Sequence, residues 1–255
     1  MLKSDRMHFI LSLVNKKGSI SVTELEKELN VSVMTVRRDL DNLDKEGLLV
    51  RTHGGATSVD FIANNHMSYT ENKEIHLPEK KQVAKLAAKK ILANDIVFLG
   101  PGTTIELIVD YITVPNVQIV TSSYSVFKKL VESDNDYDVI SIGGKFDKRS
   151  NSFSGALSSD MISKLQFTKA FIGINGVHDF SVTTFNIDGG ELQSKALSNS
   201  QERYIVADKF KFKQNALFDF YTLQKGDTFI TNHSLDEETI EKYQEVVDFE
   251  LSNED

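Results

Sequence analysis

Apolar residues recur at helical spacing through the first 45 positions, and after residue 90 they gather into short runs separated by helical stretches. Phe9, Ile10, Leu13 and Val14 repeat from Arg6 onward and Gly18 follows, which predicts a first helix of about three turns. Ser21 precedes VTELEKELN with Glu24 three residues on, the two halves of a capping box, and Val22, Leu25 and Leu29 supply the apolar stripe. Ser32 caps a third helix in which Val33, Val36, Leu40 and Leu43 share a face, while Thr35, Arg37, Arg38, Asn42 and Lys45 fall mostly on the others. Gly47 stops that helix, and Leu48 to Gly55 read as a short hairpin. Three helices, a tight turn before the third and a hairpin after it predict a winged helix-turn-helix.

The second pattern is different. Residues 57 to 77 carry no clear period, with some helical character near Tyr69 to Glu74, and read as a connection. Pro78 suits the first turn of a helix running through EKKQVAKLAAKKIL, with Val83, Leu86, Ala87 and Ile91 as its buried stripe. Strand-like runs follow at 96–99, 117–120, 138–142, 170–174 and 203–207, with helical stretches beginning near Thr103, Ser123, Ser158 and Gly190. Alternation of this kind predicts an α/β domain built on a largely parallel sheet, whose ligands bind at the carboxyl ends of the strands.

Charge changes the picture once it is divided. The formal net charge of -8 argues against a polyanionic partner, yet residues 1 to 60 hold nine basic and nine acidic residues, so the whole excess lies beyond them. An acidic second domain leaves the exposed hydroxyl, guanidinium and amide groups of the third helix free to meet phosphates and base edges. There is no cysteine, which excludes disulfides, thiolate metal sites and thiol catalysis. The opening MLKSDRMHFILSLV is interrupted by Lys3, Asp5 and Arg6, no run approaches the length of a membrane span, and a cytoplasmic protein without a membrane partner is expected.

Candidate chemistry collects at the strand ends. Gly100-Pro101-Gly102-Thr103-Thr104 follows a strand and opens a helix, so its backbone can approach an anion closely while free amides and hydroxyls donate to it. It lacks the Gly-Lys-Ser/Thr ending of a nucleotide loop and the spaced glycines of a dinucleotide fingerprint. Thr121, Ser122 and Ser123 follow the second strand, Gly143-Gly144-Lys145 the third with Arg149 behind it, and Asn175-Gly176 the fourth. Asp208, Lys209 and Lys211 follow the fifth. Together these give hydroxyls, amides and cations at one sheet edge, the inventory a phosphorylated polyhydroxy ligand requires. The histidines at 8, 53, 66, 76, 178 and 233 show no ligand spacing, and the alternating Asp134, Asp136 and Asp138 lack the glycine and glutamate of a calcium loop, so no metal site is expected.

Val31-Ser32, Thr35 to Leu40, Gly47-Leu48 and His53 to Ala56 together resemble the signature of the DeoR family of bacterial transcription regulators. Glu79-Lys80, the Gly-x-Gly-Thr-Thr loop, Gly143-Gly144, Gly155, Gly173, Gly176, Thr183-Thr184, Asp208, Lys211 and Phe212 extend the resemblance over nearly the whole chain. It implies an N-terminal winged helix-turn-helix at 1–57, a linker at 58–77 and, at 78–251, an α/β sensor domain similar to sugar-phosphate isomerases. The DNA-binding set is then Ser32, Thr35, Arg37, Arg38, Arg51 and His53. The effector-binding set is Lys80, Gly100, Gly102, Thr103, Thr104, Ser122, Lys145, Arg149, Asn175, Asp188 and Lys211. Phe98 to Thr104 and Asn175 look most like the branch that represses lactose phosphotransferase genes in low-GC Gram-positive bacteria, which implies tagatose 6-phosphate as effector, operator DNA as partner and a dimer or tetramer as the working form. An isomerase with an appended DNA-binding domain is the competing reading. Glu191, Asp188 and Asp208 would be its carboxylates, but Asn175 and Asn186 stand where many members have aspartate, and an amide cannot serve as base.

Overall fold

The computed structural model describes residues 3–51, 54–59, 68–212 and 214–253, and divides into two compact units, 1–66 with 214–217, and 67–213 with 218–255. The first unit holds α1 (Lys3–Lys17), β1 (Ser19–Ser21), α2 (Val22–Leu29), α3 (Val33–Lys45), β2 (Leu49–Arg51) and β3 (Gly55–Ser58). Ile10, Val14, Leu25, Leu29, Val36, Leu40, Leu43 and Leu49 close its core, the helical stripes having turned inward as their spacing predicts. The reciprocal Ser21–Glu24 cap opens α2, and Asn30 in the left-handed region ends it. A strand unforeseen in the sequence, β1, joins the hairpin to make the sheet order β1-β3-β2, all antiparallel. Between a helix stop at Gly18 and a helix cap at Ser21 there is room for only three residues, too few for a period to register.

The second unit opens with α4 (Tyr69–Asn72) and α5 (Leu77–Ala88), then β4 (Ile96–Leu99), α6 (Thr103–Ile108), β5 (Gln118–Thr121), α7 (Tyr124–Val131) and β6 (Asp138–Ser141). A hairpin of β7 (Lys145–Asp147) and β8 (Ser152–Ser154) leads to α8 (Ala156–Ile162), β9 (Phe167–Gly173), β10 (Gly176–His178), β11 (Ser181–Thr184) and α9 (Ile187–Ser198). The chain finishes through β12 (Ser200–Val206), β13 (Phe218–Thr222), β14 (Asp227–Thr231), α10 (Glu237–Tyr243) and β15 (Asp248–Leu251). Seven strands form one wholly parallel sheet in the order β15-β14-β12-β9-β4-β5-β6.

Both faces of that sheet are covered, which is why its inner strands read as continuous apolar runs. Val97 and Leu99 point into a cluster with Val83, Ala87, Ile105, Ile108 and Val126 from α5, α6 and α7. Phe98, between them, joins Ile162, Leu192, Ala196 and Tyr243 from α8, α9 and α10 on the other face. The chain winds outward from β4 through β5 to β6, then returns to place β9 on the opposite flank of β4 and winds the other way. β4 and β9 are therefore the strands where the order reverses, and it is beyond the carboxyl ends of such a pair that open α/β sheets form their binding crevice. The five expected strands are present. β14 and β15 join them, together with an antiparallel sheet of β10, β11 and β13. Among the described residues no helix is long and apolar enough to cross a membrane.

Candidate functional site

In the first unit, α3 is held so that one face is fixed and another is free. Ser32 accepts from the Thr35 amide at 3.3 Å, and the two hydroxyls lie 3.0 Å apart, so both expected residues fix the helix start. On its buried face, between Val36 and Leu40, stands Asp39, only 1% exposed. Arg6 of α1 donates to it twice, from Nε at 2.5 Å and Nη2 at 3.2 Å, and this hydrogen-bonded pairing holds the guanidinium above its ordinary pKa. The fork fixes the rotation of α3. Its neighbours Arg37 and Arg38 are exposed and make no ion pair among the described residues. Arg51 is less free: its amide donates to Asp44 at 2.9 Å and its Nε lies 3.3 Å from Asp41, both on α3. His53 lies outside the described residues.

In the second unit the glycine loop sits at the reversal point. The Gly100 amide donates to the Phe171 carbonyl of β9 at 2.9 Å, binding the loop across the crevice. Gly102 has φ of 138°, a conformation open to glycine, and caps α6; a Cβ there would stand 3.8 Å from Gly173 Cα. Thr103 and Thr104 are buried behind it. Thr121 donates to the Leu99 carbonyl at 2.6 Å and accepts from the Ser123 amide at 3.0 Å, which places buried Ser122 beside the loop's strand. Asn175 accepts from Thr184 at 3.1 Å and from the Phe185 amide at 3.4 Å, so its carbonyl oxygen is engaged in shaping a turn. Asn186 caps α9 through the Gly189 amide and donates to Asp147 and Ser150 of the hairpin turn. Gly190 lets that helix approach closely, since a Cβ would stand 2.7 Å from Thr184 and 2.8 Å from Phe220.

Lys80 is the most unusual member of the set. It is 1% exposed, and among the described residues its ammonium donates to Asn72 alone, to the backbone carbonyl at 2.5 Å and the side-chain oxygen at 3.2 Å. Burial, then Lys211, push it down to about 8 against the opposing pull of Asp208 and Glu74. Lys211 lies in the 3-10 turn after β12, held by Asp208 through its backbone. Three expected residues stand elsewhere. Lys145 is exposed on β7, and Asp188 lines a polar cleft between α8 and α9 with Asp160, Glu191 and Lys195 that contains none of the other expected effector residues. Arg149 is exposed in the hairpin turn.

Among the described residues, the buried polar atoms without a hydrogen-bond partner include Asp208 Oδ2, Thr231 Oγ1, His233 Nδ1 and Gln193 Oε1, the last 3.1 Å from where a Gly100 Cβ would stand. Asp208 lies just after β12, Thr231 ends β14, and Gln193 lies on α9. None was in the expected set, although Asp208 announced itself by directly following a strand. Thr231 could not be found because its strand was not foreseen, and Gln193 because a polar residue within a helix looks solvated.

A model of the DeoR C-terminal sensor domain matches residues 75–233, and a model of the DeoR-like helix-turn-helix domain matches residues 6–61. A Staphylococcus aureus protein named lactose phosphotransferase system repressor is 37% identical over 97% of this chain and 100% of its own length. A Streptococcus mutans protein of the same name is 34% identical, with the same two coverages. Among solved structures, ribose 5-phosphate isomerase A from Neisseria gonorrhoeae aligns with 52% of each chain at 17% identity and a TM-score of 0.38, too low to carry an argument.

Proposed function

The chain belongs to the DeoR family of transcription regulators, and from that premise we propose that it represses a carbohydrate-use operon and leaves its operator when a phosphorylated sugar occupies the second unit. The observation that carries the reading is the set of buried polar atoms that lack a partner among the described residues, together with buried Lys80 near Asp208 and Lys211 after β12, in a chain whose other unit presents Arg37 and Arg38 with no ion pair among the described residues. Buried polar atoms without partners are costly unless something completes them, and a polyhydroxy phosphate has the matching donors and anion.

Arg37, Arg38 and Thr35 are assigned to the major groove or its rim, with Ser32 setting the helix and Arg51 and His53 at the backbone or minor groove. Gly100, Gly102, Thr103 and Thr104 form the phosphate cradle, Ser122, Asn175 and Lys211 its surroundings, and Lys80 the buried cation. Lys145, Arg149 and Asp188 belong to the ligand site only if the hairpin or α9 moves toward it. The division 1–57, 58–77 and 78–251 and a dimer or tetramer, which would set two reading helices on one operator, are part of the same proposal, as is action in the cytoplasm. Tagatose 6-phosphate is the effector we favour, since two relatives of full-length coverage are named lactose phosphotransferase system repressors.

The isomerase alternative is set aside. The relatives are repressors by name, and Asn175 and Asn186 offer amides where a base is needed. The test is a thermal-shift panel of ribose, galactose, fructose and tagatose phosphates, followed by anisotropy on a duplex the protein itself selects from a random-sequence pool. Tagatose 6-phosphate is expected to raise the melting temperature most and to weaken DNA binding. No shift with any sugar phosphate would remove the sensor reading, and Arg38→Ala binding DNA as tightly as the parent would remove the placement of α3.

A further inference from the structure

Residues 68–76 form a strap at the start of the second unit, and among the described residues it is tied down largely by polar contacts. Ser68 and Glu71 close a capping box on each other, so α4 is a preformed single turn. The Tyr69 amide donates to the Arg149 carbonyl at 2.8 Å, and the Tyr69 hydroxyl donates to Glu106, one turn into α6 from the Gly102 cap. Lys73 lies 3.3 Å from the same carboxylate. Asn72 supplies both oxygens bound by Lys80, and His76 stacks on Phe210 with ring centroids 3.7 Å apart. Against these tethers, α4 buries no residue of its own.

Two physical consequences follow. Lys80 is 1% exposed, so no ligand can reach its ammonium until the atoms bonded to it move, and those atoms are the strap's. The exchange is favourable, because Asn72 offers two neutral acceptors where a phosphate offers charged ones, and charge-assisted hydrogen bonds are about twice as strong. A segment whose helical turn buries no residue, and which is held mainly by polar ties, also lies toward the low end of local stability and shifts at small cost.

We propose that the strap is the element through which the ligand site is reported to the DNA-reading unit, with Asn72 occupying on Lys80 the place an anionic effector takes, so that binding releases Asn72 and loosens residues 68–76. The inference rests on the sugar-phosphate reading above. Since the strap continues directly into the chain leading to β3, its release alters the only covalent connection between the two units that precedes the sheet.

The test uses the full chain, tagatose 6-phosphate as probe and calorimetric affinity, beside two variants of opposite expected sign. Asn72→Ala removes the competitor and is expected to tighten binding by about fivefold, whereas Asn72→Asp gives Lys80 a charged internal partner and is expected to weaken it by about tenfold or more. Misfolding cannot produce opposite signs. Hydrogen exchange supplies the second readout: the ligand is expected to speed exchange of the Tyr69 amide while slowing the Gly100 to Thr104 loop. Tyr69→Phe, which cuts the Glu106 tether, is expected to reduce the ratio of DNA affinities without and with ligand. If the parent binds and both Asn72 variants match it or shift in the same direction, or if the Tyr69 amide slows, the strap is not the reporter. If the parent shows no binding to any sugar phosphate, the functional reading falls as well and the strap proposal with it.

Discussion

The two ends of the parallel sheet carry similar polar side chains and treat them in opposite ways. At the amino ends, buried charges are closed into pairs. Asp95 accepts from Lys169 at 2.6 Å, from the Leu92 amide at 2.7 Å and from Thr168 at 2.9 Å; burial pushes its pKa up, yet these three partners hold it below the usual carboxylate value. Asp227, fully buried, accepts from Arg203 at 2.5 Å, Tyr221 at 3.0 Å and the Gln224 amide at 2.9 Å. At the carboxyl ends, among the described residues, Asp208 Oδ2, Thr231 Oγ1 and Gln193 Oε1 are left open and the hydrogen bonds of Lys80 go to neutral oxygens of Asn72. Closed networks hold a fold together, while open ones in a buried crevice are completed by something else.

The largest effect should come from breaking the closed end. Asp227→Ala strands a largely buried guanidinium and two further donors, and is expected to cost about 3 to 5 kcal/mol in urea unfolding. Sugar-phosphate binding at 20 °C should survive in whatever protein stays folded. A loss under about 1 kcal/mol would show that the amino end is no tighter than an ordinary surface, where ion pairs are worth that little.

Lys80→Met should act in the reverse sense. It removes the buried cation from the open end and is expected to weaken tagatose 6-phosphate by about 1.5 to 3 kcal/mol, the range for a hydrogen bond to a charged group. Unfolding stability should hold or rise, because a partly compensated buried ammonium is replaced by an apolar side chain of similar length. A destabilised variant with full ligand affinity would move Lys80 to the structural side of the comparison.

How far this contrast could be read in advance depends on what burial does to a residue's appearance. The stripes Val22, Leu25, Leu29 and Val36, Leu40, Leu43 and the runs at 96–99 and 203–207 gave helices and strands directly, because apolar periodicity survives in the folded state. The Gly100 loop was visible for the same reason, as punctuation between a strand and a helix. Lys169 hid the start of β9, since a lysine in a strand of apolar residues looks like an interruption until Asp95 is seen beneath it. Asp227 hid β14 in the same way, and Asp39 its ion pair with Arg6. Asn72 gave no signal, because its role lies in a partner eight residues along the chain and not in its own type.

A smaller effect should follow from pH. Lys80 is held down to about 8, first by burial and then by Lys211, with Asp208 and Glu74 pulling it up. Its folded value lies below its unfolded one, so its cost to stability is complete below about pH 8 and fades between about 8 and 10.5 as the folded group stays neutral while the unfolded chain still binds a proton. Stability contributed by this group therefore rises with pH across that window. Ligand affinity runs the other way: the phosphate is already dianionic above about pH 7, and well above pH 8 each further unit leaves about tenfold less of the protein with its ammonium. Affinity measured by calorimetry at pH 7, 8 and 9 should fall about twofold over the first step and about tenfold over the whole range. A level profile to pH 9 would mean that Lys80 does not touch the anion.

The smallest effect, and the finest test of the open end, is Asp208→Asn. Oδ1 already accepts from the Phe210 amide at 3.1 Å, and asparagine keeps that bond, while Oδ2, without a partner among the described residues, is replaced by a neutral amide NH2 that donates and cannot accept. Stability should change by no more than about 1 kcal/mol, since no existing pair is broken. Two consequences then separate. If Oδ2 accepts a sugar hydroxyl, affinity at pH 7 drops by about 1 kcal/mol, the net worth of one hydrogen bond. Removing the carboxylate also removes one of the two charges that hold the Lys80 value up, so the midpoint of the affinity loss should move below 8, toward neutral pH. A variant whose stability falls by 3 kcal/mol while its pH profile stays in place would put Asp208 among the closed pairs, and the distinction between the two ends of the sheet would then rest on Thr231 and Gln193 alone.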